Sequence, residues 1–143
     1  MCGIIGYTGE EQAAPILIEG LKNLEYRGYD SAGIAVYDNQ TNKTEIVKAK
    51  GRLKYLSERT DGGNAVKGFC GIGHTRWATH GEPSELNAHP HVSSDDKVVL
   101  VHNGIIENYI ELKEKLEKNG YRIYSQTDTE IAVKLVDYYY KKT

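Results

Sequence analysis

Cysteine is nearly absent from this chain: Cys2 and Cys70 are the only two in 143 residues, too few for the disulfide framework of a small secreted domain. Reactivity is therefore the question to ask of these thiols. No apolar run approaches the roughly 20 residues of a membrane-spanning helix. The N-terminus also lacks the basic and apolar regions of a signal peptide. These absences read as a cytoplasmic chain that touches no membrane. Charge of one sign is missing too, with 18 basic against 20 acidic residues, which leaves no electrostatic footprint for nucleic acid. Phe and Trp occur once each against 11 Tyr, a set that suits half-buried rings whose hydroxyls reach water or a partner. With no repeat, low-complexity tract or linker, residues 1–143 read as one domain.

What is present alternates between strand and helix patterns. Residues 3–8 form a short apolar strand. Residues 11–24 carry Ile16, Leu17, Leu21 and Leu24 at helical spacing, with Pro15 tolerable only near the first turn. Residues 32–37 and 44–50 read as a hairpin across the polar turn 38–42. A short helix over 53–59 and a strand over 69–74 follow, and Cys70 in that strand reads as an inert core thiol. The β-branched run 97–102 predicts a strand buried on both faces. Asn108 is expected to cap a helix to Asn119, with Glu111 completing a capping box. Glu111/Lys115 and Glu114/Lys118 would pair along it, and Gly120 would stop it. Thr127 with Glu130 opens a last helix whose apolar surface is expected from Ile131, Val133, Leu135 and Val136.

The stretch 75–91 breaks this pattern. It has no strand or helix period, and it holds two prolines, Trp77 and several histidines. Loops longer than about 12 to 15 residues in compact domains are usually functional or disordered, and the low charge with Trp77 favours an ordered, ligand-facing loop. His74, His80, His89, His91 and His102 raise the alternative of a metal site. Catalytic zinc takes three protein ligands with supporting hydrogen bonds, and neither a helix-spaced histidine pair nor a cysteine pair accompanies these residues. The expectation is therefore no metal and no cofactor.

Cys2 is the most informative position. Removal of Met1 would give one residue both a thiol and a free α-amine, groups that ordinarily titrate within about one pH unit of each other. The amine can then take the thiol proton, which is nucleophile and base in one residue. A cysteine opening an apolar strand is the plainer alternative.

Five ordered motifs decide between them. Cys2-Gly3-Ile4-Ile5-Gly6, residues 25–33 (Glu-Tyr-Arg-Gly-Tyr-Asp-Ser-Ala-Gly), residues 74–81 (His-Thr-Arg-Trp-Ala-Thr-His-Gly), residues 101–108 (Val-His-Asn-Gly-Ile-Ile-Glu-Asn) and Thr127-Asp128-Thr129-Glu130 together resemble the glutaminase domain of the glucosamine-6-phosphate synthases. These are class II glutamine amidotransferases that transfer glutamine nitrogen to fructose 6-phosphate. The resemblance implies an α+β N-terminal-nucleophile hydrolase fold, an αββα sandwich of two antiparallel sheets between helices. It also implies that this sandwich is incomplete at the C-terminus here, with unpaired edges.

The same resemblance implies roles. Cys2 would attack the amide of L-glutamine and form a γ-glutamyl thioester, with Asn103 and the Gly104 N–H as the oxyanion hole. Asn103-Gly104 is also a strong hairpin-turn signal. Arg76 would hold the substrate carboxylate, Thr79 and His80 would add contacts, and Asp128 would take the ammonium. Asp128 equally suits the dipole of a helix N-terminus. Arg27 and Tyr29 would lie near the nucleophile and Trp77 over the ammonia exit. Fructose 6-phosphate would be met only through C-terminal domains that this chain lacks, so a homodimer or a complementing C-terminal chain is an implied partner. The alternative function is a catalytically silent fragment that binds glutamine or a partner chain.

Overall fold

A computed structural model describes residues 2–77 and 81–143, apart from the side chain of Arg27. Met1, Ala78, Thr79 and His80 lie outside the described residues, as does the Arg27 side chain. The chain runs β1 (Gly3–Thr8), α1 (Ala13–Asn23), a 3-10 turn (Glu25–Arg27), β2 (Ser31–Asp38), β3 (Lys43–Lys50), α2 (Leu53–Arg59) and β4 (Cys70–Arg76). Then come β5 (His91–Val92), β6 (Val99–Leu100), α3 (Tyr109–Lys118) and α4 (Asp128–Tyr140). β1 to β4 form an antiparallel sheet of order β1-β4-β2-β3, and β5 pairs with β6.

α1 and α2 pack on one face of the larger sheet. Leu17, Leu21, Leu53 and Leu56 of the helices meet Ala32, Ile34 and Val36 of β2 and Ala49 of β3 in one core. Each leucine so buried contributes about 1.5 to 3 kcal/mol. The glycines of β4 set how deeply α1 sits. A Cβ at Gly71 would lie 2.8 Å from Leu17 Cδ1, and one at Gly73 would lie 3.0 Å from Ile5 Cγ2. Because strand side chains alternate, this fixes the other face of β4 as well: Cys70, Ile72, His74 and Arg76 point away from α1. Gly3, whose Cβ would press on Leu24, faces α1 and turns Cys2 toward the side of Arg76. On that side α4 packs against β5 and β6, and α3 against α4.

Five local expectations are corrected. Cys70 is exposed, because alternation turns it outward at the strand end it shares with Thr8 and Tyr37, which are exposed as well. The run 97–102 gives a strand of two residues, half-buried and, among the described residues, paired with β5 alone. Asn108 precedes α3 without a side-chain cap bond. Among the described residues Glu111 and Glu114 form no ion pair with Lys115 or Lys118. Lys115 instead reaches the Tyr139 hydroxyl at 2.7 Å. On α4, Val136 is 49% exposed while Lys134 and Asp137 are buried. The inward face of this helix is partly ionic: Lys134 Nζ meets Glu130 Oε2 at 2.5 Å and Asp137 accepts from the Tyr121 hydroxyl at 2.9 Å. Thr127 caps the helix as expected, accepting from the Glu130 N–H at 3.4 Å.

Candidate active site

Cys2, Arg76, Trp77, His89, His102, Gly104, Ile105, Tyr109, Thr127, Asp128 and Thr129 line one cavity of about 90 Å³, room for more than one water-sized group. Three stretches far apart in sequence bring them there. β1 and β4 pair Gly3 with Thr75, which sets Cys2 beside the end of β4. The thiol sulfur accepts the Trp77 N–H at 3.3 Å and lies 3.7 Å from the Trp77 carbonyl. Trp77 itself is 51% exposed at the rim.

The 102–108 segment approaches from the other side. Asn103 donates its Nδ2 to the Cys2 carbonyl at 3.3 Å, while its Oδ1 lies 2.8 Å from His74 Nε2. Gly104 follows at φ 132°, in the left-handed half of backbone space where a side chain is strained. This is open backbone after a short strand, not a two-residue hairpin loop, since β6 ends at Leu100 and the next element is α3. The segment is tied to α4 by Asp128, whose Oδ2 accepts the Ile106 N–H at 2.8 Å. His102 Nδ1 also lies 3.4 Å from Thr129 Oγ1.

Arg76 is only 4% exposed and donates to the Glu82 carbonyl at 3.3 Å. Burial pulls its pKa below the ordinary guanidinium value, and nearby Asp30, Cys2 and Asp128 oppose that pull. The cavity therefore has a cationic wall at Arg76 and an anionic one at Asp128. Glu82 is in turn held through Asn87, which donates to the Glu82 carbonyl and to Gln126 Oε1, each at 2.9 Å. Asn87 also accepts the Gln126 N–H at 2.8 Å. These bonds join the 82–87 loop to the start of α4.

Beneath the cavity lies a stack of imidazoles. His74 and His89 are parallel with ring centroids 4.1 Å apart, and His91 meets His89 edge-on at 4.8 Å. His91 Nε2 reaches Thr127 Oγ1 at 2.8 Å. Burial lowers the pKa of His74 to about 4 and that of His91 to about 3, so both rings are neutral near pH 7. Among the described residues no group of histidine, cysteine and carboxylate side chains is arranged to hold a metal ion.

Sequence reasoning placed Cys2, Arg76, Trp77, Gly104 and Asp128 at one site, and all five line this cavity. Asn103 contacts Cys2 from its edge. Tyr29 points elsewhere: its hydroxyl donates to Glu25 Oε1 at 2.7 Å and accepts the Leu53 N–H at the start of α2. Burial, first among the causes, raises the Tyr29 pKa to about 12. His89, His102, Ile105, Tyr109, Thr127 and Thr129 were not foreseen as lining residues. His102, Ile105, Thr127 and Thr129 lie inside the motifs, so their motifs held the signal. His89 is brought in only by the path of the loop.

A family model described as a glutamine amidotransferase domain matches residues 35–143. The isomerizing glutamine–fructose-6-phosphate aminotransferase of Clostridium tetani is 57% identical over 141 residues, covering 99% of this chain and 23% of that protein. The enzyme of the same name from Thermus thermophilus is 52% identical, covering 99% and 23%. The chain thus spans about a quarter of the length of the curated relatives it matches. Among solved structures, a glutamine phosphoribosylpyrophosphate amidotransferase from B. subtilis superposes with a TM-score of 0.75 at 31% identity, over 92% of this chain and 28% of its own. The α+β class expected from the sequence, antiparallel sheets with helices, is therefore shared with a solved amidotransferase. A family match over most of the chain and relatives more than half identical along nearly all of it establish that this chain belongs to the glutamine amidotransferase domain family.

Proposed function

We propose that residues 1–143 form a glutaminase unit that hydrolyses the side-chain amide of L-glutamine through Cys2. The observation that carries this reading is a single cavity lined by Cys2, Gly104, Arg76 and Asp128, with Asn103 at its edge donating to the Cys2 carbonyl. Arg76 takes the α-carboxylate of the substrate and Asp128 the α-ammonium, so the amide carbon is delivered to Cys2 Sγ. With Met1 removed, the Cys2 amine accepts the thiol proton and returns it to the departing nitrogen. Sulfur bonds to the amide carbon, ammonia leaves, and a γ-glutamyl thioester remains. Water then cleaves the thioester, giving glutamate and the free thiol.

In both tetrahedral intermediates the negative oxygen is stabilised by Asn103 Nδ2 and the Gly104 N–H. Trp77, at the rim, shields the departing ammonia. The name carried by the relatives motivates fructose 6-phosphate as the ammonia acceptor, bound by parts of those longer proteins that this chain does not span. A reduced thiol, which the reaction requires, fits a cytoplasmic setting.

The test is ammonia and glutamate release by the chain beginning at Cys2, beside labelling with a glutamine-like electrophile. Hydrolysis lost in Cys2→Ala, with label on Cys2 and not on the exposed Cys70, is the expected result. Labelling of Cys70 alone, or glutamine binding without turnover in a chain supplied with the rest of a relative, would overturn the reading.

A further inference from the structure

We propose that His74 is a positioning residue for the reaction: its Nε2–H holds Asn103 Oδ1, and so turns the Asn103 amide NH2 toward the site at Cys2. This rests on the glutaminase reading above. The geometry leaves the amide two orientations. In the one described, Oδ1 lies 2.8 Å from His74 Nε2 and Nδ2 lies 3.3 Å from the Cys2 carbonyl. Reversing the amide would put Nδ2 on His74 and aim a carbonyl oxygen at another carbonyl oxygen and at the developing oxyanion. Which orientation persists depends on which imidazole nitrogen carries the proton, because only an N–H at Nε2 can donate to Oδ1.

The surroundings fix that ring. His74 is wholly buried on the face of β4 opposite α1, its backbone paired with Ile4 and Gly33. His89 stacks on it at 4.1 Å. The stack depends on Gly33, where a Cβ would come within 2.0 Å of the His89 carbonyl oxygen. The imidazole thus has little freedom to rotate, and an Nδ1–H tautomer would set the bare Nε2 lone pair against Oδ1. In the neutral ring, Nε2–H is the form that makes a bond. Oxyanion donors act by standing ready before charge develops, so an asparagine free to flip would spend time presenting the wrong atom. Substrate binding by Arg76 and Asp128 does not pass through this pair.

Two readouts test the proposal. Long-range 1H–15N correlation on the intact chain at neutral pH should show His74 as the Nε2–H tautomer, and an Nδ1–H tautomer would overturn the proposal whether or not the chain turns over glutamine. In a turnover assay, His74→Leu should lower kcat by about 10- to 100-fold, less than loss of the donor itself, with KM for glutamine changed by less than about 2-fold. His74→Gln, whose amide N–H sits near the Nε2 position, should recover most of the loss. In an Asn103→Ala background, His74→Leu should lower kcat by less than about 2-fold further, because the group it positions is gone. Full additivity of the two changes, a loss carried by KM, or no rescue by Gln would assign His74 a structural role only. A wild-type chain that neither hydrolyses glutamine nor labels at Cys2 would defeat the glutaminase reading and leave the tautomer result to stand on its own.

Discussion

Acid should destabilise this protein through its histidines before its carboxylates protonate. His74, His89 and His91 are at most 5% exposed. Burial is the main cause holding His74 at about 4 and His91 at about 3, and it drives His89 lower still. Among the described residues the charged groups facing the stack are Arg76, Lys48 and Glu130; the two cations oppose protonation, and Glu130, acting on His91, favours it. An unfolded histidine titrates near 6.5, so below about that pH the unfolded chain binds protons the folded one refuses. Stability therefore rises with pH between the folded pKa values and about 6.5, and falls as pH drops through that window. At pH 5 each such ring favours unfolding by about 2 kcal/mol, so three amount to about 6 kcal/mol, against about 5 to 15 kcal/mol for a whole domain. Urea unfolding followed by circular dichroism from pH 7 to 5 should lose roughly that amount, and calorimetry at pH 5 should record uptake of about three protons on unfolding. His91→Gln removes one titrating ring and should make the pH dependence shallower by about 2 kcal/mol over the same range. A flat profile, or uptake of less than about one proton, would refute the reasoning.

Three further outcomes are expected. Glu130→Ala should cost about 3 to 5 kcal/mol by stranding buried Lys134 and freeing the Tyr124 and Ser125 N–H groups, while Glu130→Leu/Lys134→Met should cost less; equal losses in denaturant melts would contradict this. Gly33→Ala should destabilise by more than about 3 kcal/mol or prevent folding, since the added Cβ meets backbone and not a yielding side chain; an unchanged Tm would show that the loop relaxes. In steady-state kinetics Asn103→Ala should lower kcat by about 100- to 1,000-fold, whereas Arg76→Ala and Asp128→Asn should chiefly raise KM for glutamine. Asn at 128 keeps an acceptor for the Ile106 N–H and so isolates the charge.

Much of this molecule was legible from local pattern. The helix over Leu53–Arg59, the β2–β3 hairpin and the Thr127 cap each follow from a periodicity or a capping residue that acts within a few positions. The family was legible because chemistry demands particular residue types, and Cys2, Arg76, Asn103-Gly104 and Asp128 stand in motifs whose order survives any change in the loops between them. What depended on distant neighbours was not legible. Cys70 reads as a core thiol until strand pairing assigns it a face. The run 97–102 reads as a buried strand until its pairing shrinks to two residues. Lys134 and Asp137 are buried only because Glu130 and Tyr121 supply their partners, which the apolar period of the helix does not reveal. The stacking of the histidines was not legible either, because His74 and His89 meet only where Gly33 lets the His89 backbone pass close against β2. Sequence fixes which groups a chain can offer, since side-chain chemistry travels with the residue. Tertiary structure decides which of them lose water and face one another, because burial and pairing are properties of the packed whole.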